Sequence, residues 1–239
     1  MGKLSATPCE IGDLPKTVKA EMFALFARYY DDVCPENFTR DLAKKDGVIL
    51  LYDANGLLRG FSSYLTFGQI IDGVFNRFVF SGDTIIDHHY WGDHALAFAW
   101  LRLTGSLKRQ GGLTPLYWFL IVKGYRTYRY LPVFAKRFYP SADATTPKHI
   151  RRIMDVLGAD HFGDQYDPQS GVVHFKTPQG RLKVRWQVPP ANKTNDPSIK
   201  FFQQSNPSHT NGDELVCITE LAAENMPPLA ARIFAGTSQ

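Results

Sequence analysis

The residues best suited to chemistry lie together in the run His88–Asp93, with the sequence HHYWGD. A neutral imidazole can take a proton from an amine or a hydroxyl near neutral pH, because its ordinary pKa is about 6.5. His89 and the neighbouring Asp87 are therefore candidate general bases. The two histidines could equally be a structural pair in a turn. We expect no metal here, because adjacent side chains on a strand point to opposite faces and no ligand pair has the spacing of a zinc-protease helix.

A second chemical signal is the distribution of charge. The segment Arg102–Arg152 contains eleven Lys and Arg residues and one acid, Asp143, whereas the whole chain has a net charge of +4. A stretch of one sign makes a local positive field that suits phosphates, an acidic partner protein or nucleic acid. A solvated surface is the alternative interpretation. No recognised nucleic-acid module fits the stretch, so we expect no nucleic-acid binding.

The composition places these residues in an ordinary globular protein, with 44% hydrophobic and 21% charged residues in a chain of 239. The longest apolar runs, Ala95–Leu101 and Leu116–Val122, are far shorter than the ~20 residues of a membrane-spanning helix. Met1–Pro15 has no apolar core of a signal peptide. The three cysteines are odd in number and far apart, which fits no disulfide framework. We therefore expect a cytoplasmic protein with no membrane span.

Hydrophobic periodicity and turn residues predict the elements that position the candidate residues. The predicted helices are Pro15–Tyr30, Glu36–Lys44, Asp93–Thr104, Lys148–Leu157 and Pro228–Phe234, with a basic helix between Lys123 and Tyr139. The predicted strands are Val48–Tyr52, Leu57–Phe67, Val74–Phe80, Thr84–Asp87, Leu116–Val122, Val172–Lys176, Leu182–Val188, Ile199–Gln204 and Leu215–Leu221. Asp53–Gly56 predicts a hairpin turn, and Thr177–Gly180 predicts another between the sixth and seventh of these strands. Alternating elements of this kind indicate an α/β or α+β fold.

This order of elements resembles the GNAT acyltransferase superfamily. Three segments carry the resemblance. Residues 86–95 look like that family's strand-to-helix turn, residues 130–140 look like its fourth helix, and residues 201–215 look like its final hairpin. The resemblance implies one domain over residues 1–239, with a mixed, mostly antiparallel central sheet flanked by helices. It also implies an insertion at about 141–197 after the fourth helix, and a closing hairpin and helix at 198–239.

The resemblance further implies an acyltransferase that moves an acyl group from a thioester to a small amine or hydroxyl acceptor. The donor would be acyl-CoA, or acyl-phosphopantetheine on an acyl carrier protein, used as a co-substrate with no tightly bound cofactor. Unpaired N–H groups at a helix start hold phosphate. The donor-binding residues of that turn would be Tyr90, Trp91, Gly92, Asp93 and His94.

Residues of the basic stretch complete the implied site. Arg126 and Arg129 would contact phosphates or an acidic carrier, since arginine binds phosphate in a bidentate way. The family often supplies a tyrosine that protonates the leaving thiolate. The matching position here holds Phe134, so Tyr125, Tyr128 or Tyr130, about one turn earlier, could substitute, and Tyr128 is the candidate donor.

Two alternatives remain open from the sequence. The pattern His-His-x-x-x-Asp is similar to the catalytic run of chloramphenicol acetyltransferase and condensation-domain families, in which His89 would be the base and Asp93 structural. A catalytically inactive GNAT-like protein that binds a ligand or a carrier would also fit.

Overall fold

The computed structural model describes residues 3–176 and 179–236. The strands of this part of the chain are β1 (Ser5–Glu10), β2 (Tyr30–Asp31), β3 (Gly47–Tyr52), β4 (Leu58–Ile71), β5 (Val74–Ile86), β6 (Leu116–Val122), β7 (Tyr166–Asp167), β8 (Val172–Val173), β9 (Arg181–Leu182) and β10 (Glu214–Glu220). Its α-helices are α1 (Lys16–Tyr29), α2 (Pro35–Leu42), α3 (Ala95–Gln110), α4 (Tyr125–Tyr128), α5 (Tyr130–Phe134), α6 (Lys148–Phe162), α7 (Val184–Gln187), α8 (Pro197–Ser205) and α9 (Pro228–Ala235). No helix among the described residues is both long enough and apolar enough to cross a bilayer.

The main sheet has the order β1-β3-β4-β5-β6-β10-β8-β7, and β2 pairs separately with β9. Neighbouring strands are antiparallel except β5 and β6, which are parallel. The predicted mixed, mostly antiparallel sheet flanked by helices is confirmed.

Strands β4 and β5 form one long hairpin. Its turn residues Asp72 and Gly73 have φ angles of 50° and 80°, as a tight two-residue turn between twisted strands requires. The prediction of separate strands Val74–Phe80 and Thr84–Asp87 is wrong, because β5 runs continuously from Val74 to Ile86. Gly82 does not end the strand but lies in an irregularity of its pairing.

Helices cover both faces of the sheet. On one face, α3, α8 and α9 pack over β3, β6 and β10. On the other face, α1 and α2 pack over Phe61 of β4, whereas α6 packs further along the same strand, over Phe67. Phe61 and Phe67 are six residues apart, so they share one face of β4. The two helix groups on this second face are thus separated along the hairpin, which leaves room between them.

Close packing joins α3 to the final helix. A Cβ on Gly105 of α3 would lie 1.9 Å from the carbonyl oxygen of Phe234 in α9. Arg109, one turn further along α3, donates a hydrogen bond of 2.8 Å to the same oxygen. The backbones approach this closely only because Gly105 has no side chain. The predicted C-terminal helix is confirmed.

The predicted closing hairpin is wrong, because residues 199–204 belong to α8 and not to a strand. The Asp196 carboxylate accepts a hydrogen bond of 3.0 Å from the Ser198 backbone N–H, and Pro197 occupies the first turn. Both features begin a helix. Ile199 and Phe202, three residues apart, are the buried face of α8. The short segment permitted either periodicity, and the helix caps decided between them.

The insertion predicted at 141–197 contains α6, β7, β8 and β9. Its predicted hairpin is wrong, because Val172–Val173 pair with β10 and β7, whereas Arg181–Leu182 pair with β2. Thr177 and Pro178, in the predicted turn, lie outside the described residues. Residues 141–197 thus cross from the edge of the main sheet to the end of α1. The basic segment forms only the short helices α4 and α5.

Candidate active site

A β-bulge interrupts the hairpin at Gly82 and Asp83. Ser62 pairs with Thr84 and Tyr64 pairs with Ser81, so both Gly82 and Asp83 lie opposite Ser63. A Cβ on Gly82 would lie 2.5 Å from the Ser63 hydroxyl oxygen and 2.8 Å from Cε of Lys45, so this position accommodates only glycine without a shift of neighbours. Bulges redirect side chains and end regular pairing.

Strands β5 and β6 stop pairing with each other where the bulge begins. Their parallel register ends at the pair Ser81 and Leu120, although β5 continues to Ile86 and β6 continues to Val122. In the described part of the chain, no strand pairs with β5 on that side beyond Ser81. The opening leaves backbone groups of β5 available to a ligand, and two cavities meet there.

The first cavity lies between α1–α2 and α6 and has a volume of about 330 Å³. We call it the carboxylate cavity. Its lining includes Asp83, Glu214, Lys123, Lys45, Phe80 and His161.

The second cavity lies beyond the ends of β5 and β6 and has a volume of about 290 Å³. We call it the arginine cavity. Its lining includes Arg126, Arg129, Trp91, Gly92, Tyr125 and Trp186. Tyr30, Thr84 and Thr127 line both cavities, so these three residues mark the junction.

Among the residues that the structure describes, the charges that line the carboxylate cavity are paired, except those of Asp83 and of the exposed Lys44. Glu214 lies 3.1 Å from the Lys123 ammonium, and Asp41 lies 2.8 Å from the Lys45 ammonium. Asp83 has no ion-pair partner within 4.0 Å among residues 3–176 and 179–236. Burial raises the pKa of Asp83 to about 6, and the charge of Lys123 only partly opposes this effect. A carboxyl with this pKa is ionised at neutral pH but accepts a proton readily.

The arginine cavity holds a positioned cation. The Arg126 guanidinium lies 4.2 Å from the centre of the Trp91 ring and 4.6 Å from that of Tyr125, and it donates a hydrogen bond of 2.6 Å to the Trp186 carbonyl oxygen. Burial lowers the pKa of Arg126, but a guanidinium stays charged at neutral pH. Arg129 is 3.2 Å from the Asp196 carboxylate.

Two buried donors beside the arginine cavity lack partners. The Tyr125 hydroxyl and the Trp186 indole nitrogen make no hydrogen bond within the described part of the chain. A buried donor without a partner costs roughly 1–3 kcal/mol. A ligand with carbonyl or phosphate oxygens in this cavity could satisfy both groups.

Tyr30 stands at the junction of the two cavities. Its ring stacks on Phe26 with a centroid distance of 4.7 Å, and the Lys123 ammonium lies 5.4 Å from its ring centre. Burial raises the pKa of Tyr30 above its ordinary value, so the phenol remains protonated at neutral pH. Because Tyr30 lines both cavities, its phenol is a candidate proton donor to a ligand that spans their junction.

The predicted bases Asp87 and His89 lie in a different place. Asp87 is 1% exposed and accepts hydrogen bonds from the His89 backbone N–H at 3.2 Å and from the His89 ring at 2.9 Å. Burial acts to raise the pKa of Asp87, but these bonds and the charge of Arg28 bring that pKa below its ordinary value. The His89 side chain is 69% exposed and lies outside both cavities. Asp87 thus anchors the turn.

The predicted donor-binding turn is split between several roles. Trp91 and Gly92 line the arginine cavity. The Tyr90 hydroxyl lies 3.4 Å from Asp53, and the His94 ring stacks beside Phe98, so both side chains point elsewhere. The Asp93 carboxylate accepts hydrogen bonds from the N–H groups of Ala95 at 2.7 Å and of Leu4 at 3.1 Å. A carboxylate therefore already occupies the start of α3, where an anion was expected.

Tyr128, the predicted proton donor, is fully buried behind the site. Its hydroxyl donates a hydrogen bond of 2.9 Å to the carbonyl oxygen of Pro140, and the side chain lies outside both cavities. This placement does not support a role in proton transfer.

The predicted orientation of the histidine pair is wrong. His88–Tyr90 form a 3₁₀ turn and not a strand end, so the rings of His88 and His89 lie 3.9 Å apart instead of on opposite faces. Together with Asp87 they place three possible metal-ligand atoms within 4.8 Å of one another. Arg28 lies 3.2 Å and Arg59 3.7 Å from the same carboxylate, and these positive charges oppose a metal cation there.

Sequence reasoning missed Asp83 and Tyr30, and it considered Tyr125 only as a proton donor to the leaving thiolate. The available signal for Asp83 was a Gly-Asp pair between the alternating strand Val74–Phe80 and the apolar pair Ile85–Ile86, because a polar residue beside glycine within a strand is typical of a bulge. No comparable signal distinguishes Tyr30 among the eleven tyrosines of the chain.

No protein-family model matches the chain, and no curated protein matches it. Among solved structures, it is similar to a conserved protein of unknown function, a probable N-acyltransferase, from Enterococcus faecalis V583, with 16% identity and a TM-score of 0.43 over 56% of this chain and 33% of that one. The chain thus spans about a third of the length of that protein.

In two further similar structures, the match covers a larger share of the other chain. One is a GNAT family N-acetyltransferase from Escherichia coli in complex with CoA, with 14% identity and a TM-score of 0.36 over 54% of this chain and 69% of that one. The other is glucosamine-6-phosphate N-acetyltransferase from Arabidopsis thaliana, with 14% identity and a TM-score of 0.38 over 58% and 97%.

Proposed function

We propose that the protein is an acyltransferase that moves an acyl group from a thioester donor to an amine or hydroxyl acceptor. The observation that carries the proposal is the meeting of two cavities where β5 and β6 part, with an unpaired carboxyl in one and a half-buried guanidinium in the other. Acyl transfer needs a donor site and an acceptor site that share one reacting centre. Tyr30, Thr84 and Thr127 line both cavities, so the reacting centre belongs beside them.

The arginine cavity suits the donor. The pantetheine arm of CoA or of an acyl carrier protein carries amide carbonyl and phosphate oxygens, which accept hydrogen bonds. Arg126 and the unpartnered donors on Tyr125 and Trp186 would supply them. Backbone groups of β5 beyond Ser81 could polarise the thioester carbonyl, as donors aimed at a developing oxyanion do.

The carboxylate cavity suits the acceptor. Asp83 takes a proton from the acceptor nitrogen or oxygen, which then attacks the thioester carbonyl carbon and forms the new bond. The tetrahedral intermediate collapses, the carbon–sulfur bond breaks, and Tyr30 donates its proton to the leaving sulfur. Asp83 releases its proton to solvent, an amine acceptor loses its second proton to solvent as the amide forms, and the tyrosine recovers a proton from solvent. In this proposal Asp83 replaces Asp87 and His89 as the base, and Tyr30 replaces Tyr128 as the acid.

Intact-mass measurement of thioester consumption tests the proposal. Acetyl-CoA, longer acyl-CoA and acyl carrier protein would be incubated with a panel of amines and alcohols, and the thermal midpoint would be followed with each donor alone. We expect at least one donor to raise the midpoint and to lose its acyl group to an acceptor. A rise with no transfer to any acceptor would favour the inactive binding protein, and no rise with any thioester would overturn the donor site.

A further inference from the structure

We infer that the acceptor is a small primary amine, bound as its ammonium ion, with an aromatic or similar apolar body and no carboxylate of its own. This inference rests on the proposed function and narrows it, since a hydroxyl acceptor is excluded. It follows from the charge, the walls and the size of the carboxylate cavity.

The unpaired carboxyl in the carboxylate cavity favours a cationic ligand. Four carboxylates and three lysines line it: Asp32, Asp41, Asp83, Glu214, Lys44, Lys45 and Lys123. Lys123 and Lys45 are already engaged by Glu214 and Asp41, and Lys44 is exposed to solvent. Asp32 lies 3.4 Å from Arg181, outside the cavity. Asp83 is left as the carboxyl that a ligand must satisfy. A buried charge is stabilised by an ion-pair partner, which an ammonium supplies and an alcohol does not.

The aromatic residues that line the carboxylate cavity favour a ligand with an apolar body. Phe80 of β5, His161 and Phe162 of α6, and Phe175 after β8 line it. The Phe162 and Phe175 rings meet edge-on with a centroid distance of 6.4 Å, and His161 meets Phe67 edge-on at 4.9 Å. Burial lowers the pKa of His161, so this ring is neutral at pH 7.5. Aromatic walls of this kind bind flat apolar groups by surface burial and ring contacts.

The insertion supplies the far wall. His161, Phe162 and Phe175 all lie within residues 141–197, whereas Asp83 and Phe80 belong to β5. The base is thus provided by the central sheet and the apolar specificity by the insertion. A volume of about 330 Å³ lies at the lower end of small-molecule sites, so the acceptor is a small molecule and not a folded macromolecule.

Binding of matched ligands to the whole protein without any donor tests the inference independently of transfer. Isothermal titration at pH 7.5 would compare 2-phenylethylamine with phenylalanine, which adds a carboxylate, with 2-phenylethanol, which replaces the ammonium, and with glucosamine, which replaces the apolar body. We expect 2-phenylethylamine to bind at least tenfold more tightly than each of the others. Equal or tighter binding of any of the three would overturn the inference.

Two variants test whether the amine binds at Asp83. Asp83→Asn should weaken 2-phenylethylamine at least tenfold and leave 2-phenylethanol unchanged, whereas Asp13→Asn, on an exposed turn, should alter neither. Unchanged amine affinity in Asp83→Asn would overturn the inference. Amine binding without acyl transfer from any thioester would instead refute the proposed function. Transfer to glucosamine or to an alcohol, with none to arylalkylamines, would retain the function and refute the inference.

Discussion

Replacing Asp83 with asparagine is expected to make the protein more stable and less active at once. Burial raises the pKa of this carboxyl from 3.8 to about 6, so its ionised form is disfavoured in the folded protein. At about 1.36 kcal/mol for each pKa unit, ionisation of Asp83 at pH 7.5 costs up to about 3 kcal/mol. Asparagine has nearly the same shape and no charge, so Asp83→Asn should recover much of this free energy. Loss of a general base should lower kcat roughly 10²- to 10⁴-fold.

The dependence on pH has a definite sign. Between about pH 4 and pH 6 the folded protein holds a proton on Asp83 that the unfolded chain releases, so the free energy of unfolding falls as the pH rises. The turnover rate should rise over the upper part of this window, because about a tenth of the carboxyl is ionised at pH 5 and nearly all of it at pH 7.5. Lys123, Lys45, Glu214 and Asp41 act on this carboxyl from neighbouring elements. Asp83→Asn should remove the contribution of this residue to the pH dependence of the free energy of unfolding and to that of the turnover rate.

Denaturant unfolding followed by tryptophan fluorescence at pH 5 and pH 7.5, together with thioester turnover, measures both effects. Asp13→Asn on the exposed turn after β1 is the control and should change neither quantity. Full turnover in Asp83→Asn would refute the assignment of the base. A lower free energy of unfolding at pH 7.5 in this variant would refute the account of its burial.

Three further perturbations separate the remaining roles. Arg126→Lys should raise the donor KM roughly tenfold with little change in kcat, because lysine cannot reproduce the planar stacking and bidentate donation of a guanidinium; an unchanged KM would remove Arg126 from the donor site. Tyr30→Phe should lower kcat roughly 10²-fold. Tyr128→Phe should instead lower the free energy of unfolding by about 1 kcal/mol and leave kcat unchanged. A loss of kcat in Tyr128→Phe with none in Tyr30→Phe would restore Tyr128 as the acid. Gly105→Ala should lower the free energy of unfolding by roughly 1–3 kcal/mol, because its Cβ would meet the Phe234 carbonyl at 1.9 Å; a thermal midpoint equal to wild type would contradict this packing.

Local patterns in the sequence determined much of the fold. The apolar stripe of Pro15–Tyr30 predicted α1, which spans Lys16–Tyr29. The apolar run Leu116–Val122 predicted β6 with the same bounds. The Asp53–Gly56 turn is confirmed, and the Gly56 N–H bonds to the Asp53 carbonyl at 3.0 Å. In each case the physical cause acts between residues a few positions apart, so a single sequence contains it.

The elements that the sequence misassigned are those in which local causes compete. Ile199–Gln204 fits a short strand or a short helix, and the Asp196 cap decides for α8. A short apolar or polar run alone does not distinguish these alternatives. The turn expected at His88–His89 is present and is held by bonds to Asp87, and only the expectation that the two rings point to opposite faces is wrong.

The candidate site was decided by tertiary structure. Asp83 acquires its raised pKa because the register of β4 against β5 forces a bulge, and because α1–α2 and α6 cover the sheet on either side of it. The two cavities meet because β5 and β6 stop pairing at Ser81. These relations join segments that are tens of residues apart. Burial and charge at one residue depend on all of them together, so no local pattern around Asp83 could determine its chemistry.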